Sequence, residues 1–294
     1  MAEDLMRNIQ WFPGHMTKTR RMIAANLSLV DAVVEILDAR IPQSSRNPEM
    51  DGAKPRLLLL NKADMADPAA TSRWISAYRK QGFVALGVDC RSGKGISGFA
   101  PAVREQLLPE LLERRAAHGM TGAPIRLMVV GIPNVGKSSF INRMAQSKRA
   151  KVEDRPGVTR TKQWVKIGNN MELLDMPGVL WPKFDDQSVA QKLAFTGAIN
   201  DDVMDLEALA SLLLQKLAAS YPKALEERYR MTELDEICED GFAMLELLGR
   251  KRGMLISGGE VNTERAAITL LDEFRSGRLG RITLELPEQE AQNG

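Results

Sequence analysis

Residues 131–138 read Gly131-Ile132-Pro133-Asn134-Val135-Gly136-Lys137-Ser138, the G-x-x-x-x-G-K-[ST] spacing of a loop that cradles phosphates. Glycines let the backbone approach phosphate oxygens and turn N–H groups towards them, and a following helix adds the field of its positive end. Lys137 would reach the β- and γ-phosphates, and Ser138 would hold Mg²⁺. Pro133, Asn134, Val135, Gly136 and Ser139 complete the contact set. A second group, Asn61-Lys62-Ala63-Asp64, names the base. The Asp64 carboxylate can accept from guanine N1–H and the exocyclic amine. Adenine offers neither donor and would leave a desolvated carboxylate unpaired. Asn61 would contact the base edge and brace the loop, while the stem of Lys62 covers the ring. Ser92-Gly93-Lys94 would bring a backbone N–H to guanine O6, with Cys90 and Arg91 in the same loop. The third group is Asp175-Met176-Pro177-Gly178. Asp175 would hold Mg²⁺ through water, and the Gly178 N–H would touch the γ-phosphate. Thr159 would add its hydroxyl to Mg²⁺ when that phosphate is present, with Thr161 a nearby alternative.

These groups need strands that end at them. The apolar run Ile125 to Val130 leads into the phosphate loop, and a helical pattern, Ser139 to Gln146, leads out. Val30 to Leu37, Leu57 to Leu60 and Phe83 to Val88 read as buried strands. Gln163 to Ile167 and Met171 to Leu174 read as an antiparallel pair about Gly168-Asn169-Asn170. Helices are expected over 17–28, over 69–80 with Pro68 in the first turn, and from the Gly95 region to about His118. Residues 119–124 read as a linker. Alternating strands and helices predict an α/β layered sheet. From about Gln187 the pattern turns helical, over 188–197, 204–219, 222–229, 235–248 and 260–276, followed by a short strand from Arg281 to Leu286. The expected division is a nucleotide domain over 1–186 and an all-α domain over 187–294.

Composition narrows the class. Apolar residues make up 44% and charged residues 27%, as in a soluble globular protein, and no stretch nears 18 consecutive apolar residues. Met1-Ala2-Glu3-Asp4-Leu5 does not look like a secretory signal. Cys90 and Cys238 stand far apart, which suits a reducing cytoplasm and excludes a thiolate zinc site. The net charge of +2 hides an asymmetry: residues 200–294 carry 11 Lys/Arg against 19 Asp/Glu, and the balance to residue 199 is positive. Basic clusters stand at Lys18-Thr19-Arg20-Arg21, Lys148-Arg149-Ala150-Lys151 and Arg250-Lys251-Arg252. The last, in acidic surroundings, is a candidate grip for a phosphate backbone.

The order of the motifs is rotated: N-K-x-D, then Ser92-Gly93-Lys94, then the phosphate loop, Thr159 and D-x-x-G. Strands can keep their places in a sheet while the chain is cut and rejoined, because termini lie at the surface; residues 119–124 would be the join. This order resembles the circularly permuted GTPases. Trp11-Phe12-Pro13-Gly14-His15-Met16, Val34-Glu35-Ile36-Leu37-Asp38-Ala39-Arg40-Ile41-Pro42 and Phe274-Arg275-Ser276-Gly277-Arg278-Leu279-Gly280-Arg281-Ile282-Thr283-Leu284-Glu285 resemble one branch, the ribosome biogenesis GTPase A (YlqF-like) family. The resemblance covers nearly the whole chain. It implies a P-loop GTPase fold in permuted order with a C-terminal helical domain that binds ribosomal RNA. It also implies a cytoplasmic assembly factor for the large ribosomal subunit. A monomer is expected, with no membrane or DNA partner.

Many GTPases place a water-orienting glutamine directly after D-x-x-G. Val179 stands there, so hydrolysis by the free protein should be slow; the resemblance implies that such hydrophobic substitution is usual and that the ribosomal particle stimulates turnover. Two substitutes have names. His15, in a Pro-Gly turn, could orient or activate water. Asn134 resembles the asparagine that helps hold K⁺ against the phosphates in potassium-stimulated GTPases. The competing expectation is a nucleotide-gated RNA-binding switch with negligible hydrolysis of its own.

Overall fold

The structure is a computed structural model that describes residues 14–50, 52, 54–146, 163–180, 186–232 and 239–287 of the 294-residue chain. Six strands form one sheet: β1 (Ala32–Asp38), β2 (Arg56–Asn61), β3 (Val84–Gly87), β4 (Ile125–Gly131), β5 (Gln163–Ile167) and β6 (Met171–Asp175). Their spatial order is β3-β2-β1-β4-β6-β5. All neighbours are parallel except β5 and β6, which pair antiparallel with Gln163 opposite Asp175. Parallel strands are covered on both faces, so they read as near-continuous apolar runs; every residue of β1 and β2 is buried. The three-residue turn between β5 and β6 carries Asn169 and Asn170 at φ 62° and 54°, where asparagine tolerates the left-handed region.

On one face, Trp74 and Tyr78 of α2 (Pro68–Lys80) pack with Leu58, Leu60 and Ala85. Pro68 opens that helix as expected, and the Asp67 carboxylate accepts from the Ala70 N–H at 2.9 Å. Helix α4 (Lys137–Gln146) follows the phosphate loop, and its Phe140 meets Phe99 edge to face at 5.1 Å. Rotating the chain so that it begins at β4 restores the phosphate-loop strand to first place without moving any strand in the sheet.

Several local expectations are corrected. The helix expected to run to His118 is interrupted: a wide turn over Ala102–Leu107 ends at Leu108, and α3 (Pro109–Ala117) starts afresh. Pro109 is the cause, since its ring and missing N–H exclude continuation of the preceding helix. Helix α1 (Gly14–Asn26) already contains His15, which was expected in a turn, and Pro13 lies outside the described residues. Arg281 to Leu286 is not a strand; the Tyr221 hydroxyl instead accepts from the Thr283 N–H at 3.1 Å and donates to the Thr283 carbonyl at 3.0 Å.

The second half is helical: α5 (Gln187–Phe195), α6 (Leu206–Ser220), α7 (Pro222–Tyr229), α8 (Gly241–Lys251) and α9 (Thr263–Arg275). Helix α8 is capped by Asp240, which accepts from the Phe242 and Ala243 N–H groups at 3.0 Å, and residues 233–238, where the expected helix begins, lie outside the described residues. The described residues form two compact units, 14–180 with 285–287, and 186–284. Glu285 thus belongs to the α/β unit, where its carboxylate accepts from the Ser44 N–H (2.8 Å) and hydroxyl (2.7 Å). Its carbonyl accepts from Trp74 Nε1 at 2.9 Å. No helix among the described residues is long and apolar enough to cross a membrane.

Candidate nucleotide site

The phosphate loop is shaped by contacts that only glycine permits. A Cβ on Gly131 would stand 2.6 Å from the Ile36 carbonyl oxygen. Gly136 has φ +99°, and a Cβ there would stand 2.3 Å from Asn61 Nδ2. Lys137 folds back over the loop, donating to the Gly131 carbonyl at 3.0 Å and the Ile132 carbonyl at 2.8 Å. It is 8% exposed. Burial pushes its ammonium down to about 8, against the opposing pull of Asp175.

Gly178 meets this lysine. A Cβ on Gly178 would lie 2.9 Å from Lys137 Nζ and 3.1 Å from Pro133 Cα, and the Val179 N–H donates to the Gly131 carbonyl at 3.3 Å. The D-x-x-G segment therefore closes on the phosphate loop, at the end where a γ-phosphate is expected. Asp175 is buried at the end of β6, and Ser138 stands half-buried in the first turn of α4. A carboxylate and a hydroxyl are the hard oxygen donors that suit Mg²⁺. Thr159 and Thr161 lie outside the described residues.

At the base end, Asn61 is a brace. Its Nδ2 donates to the Val135 carbonyl at 2.8 Å, and its Oδ1 accepts from the Cys90 N–H at 3.0 Å. One buried amide ties N-K-x-D, the phosphate loop and the 90–94 loop together, which is the bracing expected of Asn61. Lys62 adopts φ 61° and its Nζ lies 2.9 Å from Asp38 Oδ2. Asp64 is partly exposed, with Arg91 Nη2 at 3.7 Å from its carboxylate. The Cys90 thiol is buried and pushed up to about 12, chiefly by that burial, so this residue offers the site its backbone. In the loop expected to bring a backbone N–H to guanine O6, the Ser92 N–H donates to Asp89 Oδ1 at 3.2 Å. Gly95, at φ +82°, lies so close to β3 that a Cβ would stand 2.4 Å from the Gly87 carbonyl oxygen.

Three contributors were missed as such. Arg143, on α4, donates from Nε to the Cys90 carbonyl at 3.3 Å and from Nη2 to the Arg91 carbonyl, locking the base loop to the phosphate-loop helix. Nothing in its spacing announces this. Asp38 and Arg40 stood in a recognised stretch without a role. Elsewhere, Asn134 is exposed at φ 57°, and the side chain of His15 lies outside the described atoms. Arg250 pairs with Glu246 at 2.6 Å, and Arg252 Nη2 reaches Glu273 at 3.5 Å, so the basic run 250–252 is partly neutralised by its own unit. Lys148 to Lys151 lie outside the described residues.

Comparison with known proteins agrees with this geometry. Residues 126–233 match a family model described as 50S ribosome-binding GTPase. Ribosome biogenesis GTPase A of Priestia megaterium is 47% identical over 97% of this chain and 99% of its own. The Thermotoga maritima protein of the same name is 31% identical, over 95% of each chain. The GNP-bound structure of YlqF from T. maritima superposes with a TM-score of 0.62 at 27% identity, covering 92% of this chain and 99% of that one. A GDP-bound YlqF structure gives a TM-score of 0.65 at 28% identity, with 92% and 100% covered. The strand order, the closure of D-x-x-G on the phosphate loop and these full-length likenesses have one explanation: the chain is a GTP hydrolase with a circularly permuted P-loop GTPase fold and belongs to the ribosome biogenesis GTPase A family.

Proposed function

We propose that this GTPase is a monomeric, cytoplasmic assembly factor of the large (50S) ribosomal subunit that binds rRNA and converts GTP and water to GDP and phosphate, with turnover stimulated by the particle. The observation that carries the nucleotide half is the Asn61 brace, which joins the base-reading and phosphate-binding segments through Val135 and Cys90. The names of the full-length relatives support the ribosomal half.

In the reading, Asp64 accepts from the guanine edge, and Lys137 leaves the Gly131 and Ile132 carbonyls to meet the β- and γ-phosphates. Gly178 presents its N–H to the γ-phosphate. Ser138, Asp175 and Thr159 would hold Mg²⁺, which when bound neutralises charge on the phosphates. Val179 is 2% exposed and apolar, so it cannot orient water. The chain alone therefore turns over slowly, and His15 or a K⁺ held with the help of Asn134 supplies what is missing. The helical unit, 186–284, contacts rRNA. Arg278 and Arg281 support this: both are exposed and make no ion pair among the described residues, unlike Arg250 and Arg252.

Multiple-turnover phosphate release with and without purified large subunits tests the enzyme reading, and co-sedimentation in GTP against GDP across a salt series tests the partner. Stimulated release and GTP-dependent, salt-weakened binding are expected. Buried Val179 favours one alternative, a nucleotide-gated RNA-binding switch. Particle binding without phosphate release would establish that alternative. His15→Ala and exchange of K⁺ for Na⁺ then separate the two substitutes.

A further inference from the structure

Asp38 and Arg40, at and just beyond the end of β1, take no part in the chemistry outlined above, yet each is only 1% exposed. Arg40 grips the carboxylate on both oxygens, Nε to Oδ1 at 2.9 Å and Nη2 to Oδ2 at 2.8 Å, and its own N–H donates to Oδ1 at 3.1 Å. Two parallel bonds from a rigid planar fork fix the plane of the carboxylate. Oδ2 then accepts from a second cation, Lys62 Nζ, at 2.9 Å.

The backbone holds this arrangement in register. Asp38 pairs with Asn61 across β1 and β2, and the Ala39 N–H donates to the Asn61 carbonyl at 2.8 Å. The Asp38 N–H donates to Ser45 Oγ at 3.0 Å, and Ser45 Oγ donates in turn to the Pro42 carbonyl at 3.2 Å. Lys62 leaves the strand end in the left-handed region, which a non-glycine residue enters at a cost. Burial acts to raise the Asp38 carboxyl, but Arg40 and Lys62 outweigh it and hold the group well below the usual carboxylate range. The anchor is therefore a carboxylate near neutral pH, and its pull opposes the burial that lowers the Lys62 ammonium from its ordinary value.

We propose that Asp38, oriented by Arg40, is a positioning residue for nucleotide binding: it pins the Lys62 ammonium so that the lysine stem forms a ready-made floor for the guanine ring. A lysine stem free in solvent loses rotamer freedom when a ligand packs on it, and a pinned one has lost that freedom before the ligand arrives. Arg40 alone can balance the Asp38 charge, so the second cation on Oδ2 is not required for neutrality. What the Lys62 contact adds is placement. The proposal rests on the guanine-site reading, which Asp64→Ala checks separately by its own loss of GDP binding.

The test is a double-mutant cycle on Asp38→Asn and Lys62→Ala, with fluorescent GDP and a non-hydrolysable GTP analogue as probes. Each single change should weaken both probes by about tenfold, the loss of one charge-assisted contact. Because the contact is to the base end, the two probes should suffer equally. The double variant should bind no more weakly than Lys62→Ala alone, since Asp38 acts through the lysine. Multiplying losses, or unchanged affinity in Asp38→Asn, would overturn the proposal. If Asp38→Asn fails to fold because it strands the Arg40 charge, Asp38→Asn/Arg40→Gln removes both buried charges together. That pair should fold and still show the tenfold loss; wild-type affinity in it would equally overturn the idea. If Asp64→Ala leaves GDP binding intact, the guanine site itself is misread, and the cycle is not the step that failed.

Discussion

The α/β unit and the helical unit both bury charge, but to different ends. In the helical unit, Glu273 of α9 accepts from Arg228 Nε at 2.9 Å and from Arg228 Nη2, from the Tyr229 hydroxyl at 2.7 Å, and from Arg252 at 3.5 Å. The carboxylate gathers the end of α7 and the residue after α8 onto α9, and its partners are complete within the unit. Helix starts are likewise closed locally: Asp186, Asp205 and Asn262 accept from N–H groups two or three residues on. In the α/β unit, Lys137 is buried against two neutral carbonyls, and the loops around it take positive φ and contacts too close for a Cβ. Glu273, whose partners are all within the helical unit, builds a scaffold. A buried cation resting on neutral carbonyls is prepared for an anion that comes from outside.

The largest expected effect breaks the α/β side. Gly136→Ala puts a methyl against Asn61 at a φ that alanine resists, and should weaken GTP binding by about 100-fold or more, roughly 3 kcal/mol. Fluorescent-nucleotide titration measures it. Hydrogen exchange in α6 to α9 should be unchanged, and a loss of protection there would erase the contrast between the units.

The reciprocal change comes next. Glu273→Ala removes the acceptor of the buried Tyr229 hydroxyl and of Arg228, which is 34% exposed and can turn to water, and should cost the helical unit about 2 kcal/mol by thermal unfolding, with GDP affinity preserved. The Glu273 carboxyl lies below its usual value, foremost because Arg228 hydrogen-bonds it. Its folded pKa is depressed, so its stabilisation is full above the ordinary 4.5 and is lost as pH falls through the lower folded value. Glu273→Gln should flatten that acid limb.

Lys137 sharpens the contrast through pH. The folded, nucleotide-free protein releases this proton near 8, whereas the unfolded chain keeps it to about 10.5. The unfolded state binds more protons in that window, so the empty α/β unit should gain stability as pH rises through it. GTP needs the charged form, so affinity should fall above about pH 8, by at most about tenfold per pH unit. A profile flat to pH 10 would contradict the burial argument. The smallest effect belongs to Arg143→Ala, which releases the 90–92 loop from α4 and should weaken GDP and GTP alike by about fivefold, near 1 kcal/mol.

Legibility followed the same divide. Helices α6, α7 and α9 came out within a few residues of expectation, because apolar period, capping residue and proline are local signals read within one turn. All six strands were also legible, most plainly β1 and β2, which are covered on both faces. Failures arose where distant residues decide. Arg281 to Leu286 has the composition of a strand, but Tyr221 takes the Thr283 backbone, and Ser44 and Trp74 take Glu285.

By itself, the order of residues determined that a phosphate loop, a guanine-reading tetrad and D-x-x-G occur in rotated succession, since those motifs are contiguous and their chemistry follows from residue type and spacing. Only the tertiary structure decided that the Asn61 amide joins Val135 to Cys90, that Arg143 locks the base loop, and that Asp38 and Arg40 stand behind Lys62. The reason is physical: a motif records which groups are neighbours along the chain, but these hydrogen bonds join residues that become neighbours only when the sheet sets its strands side by side.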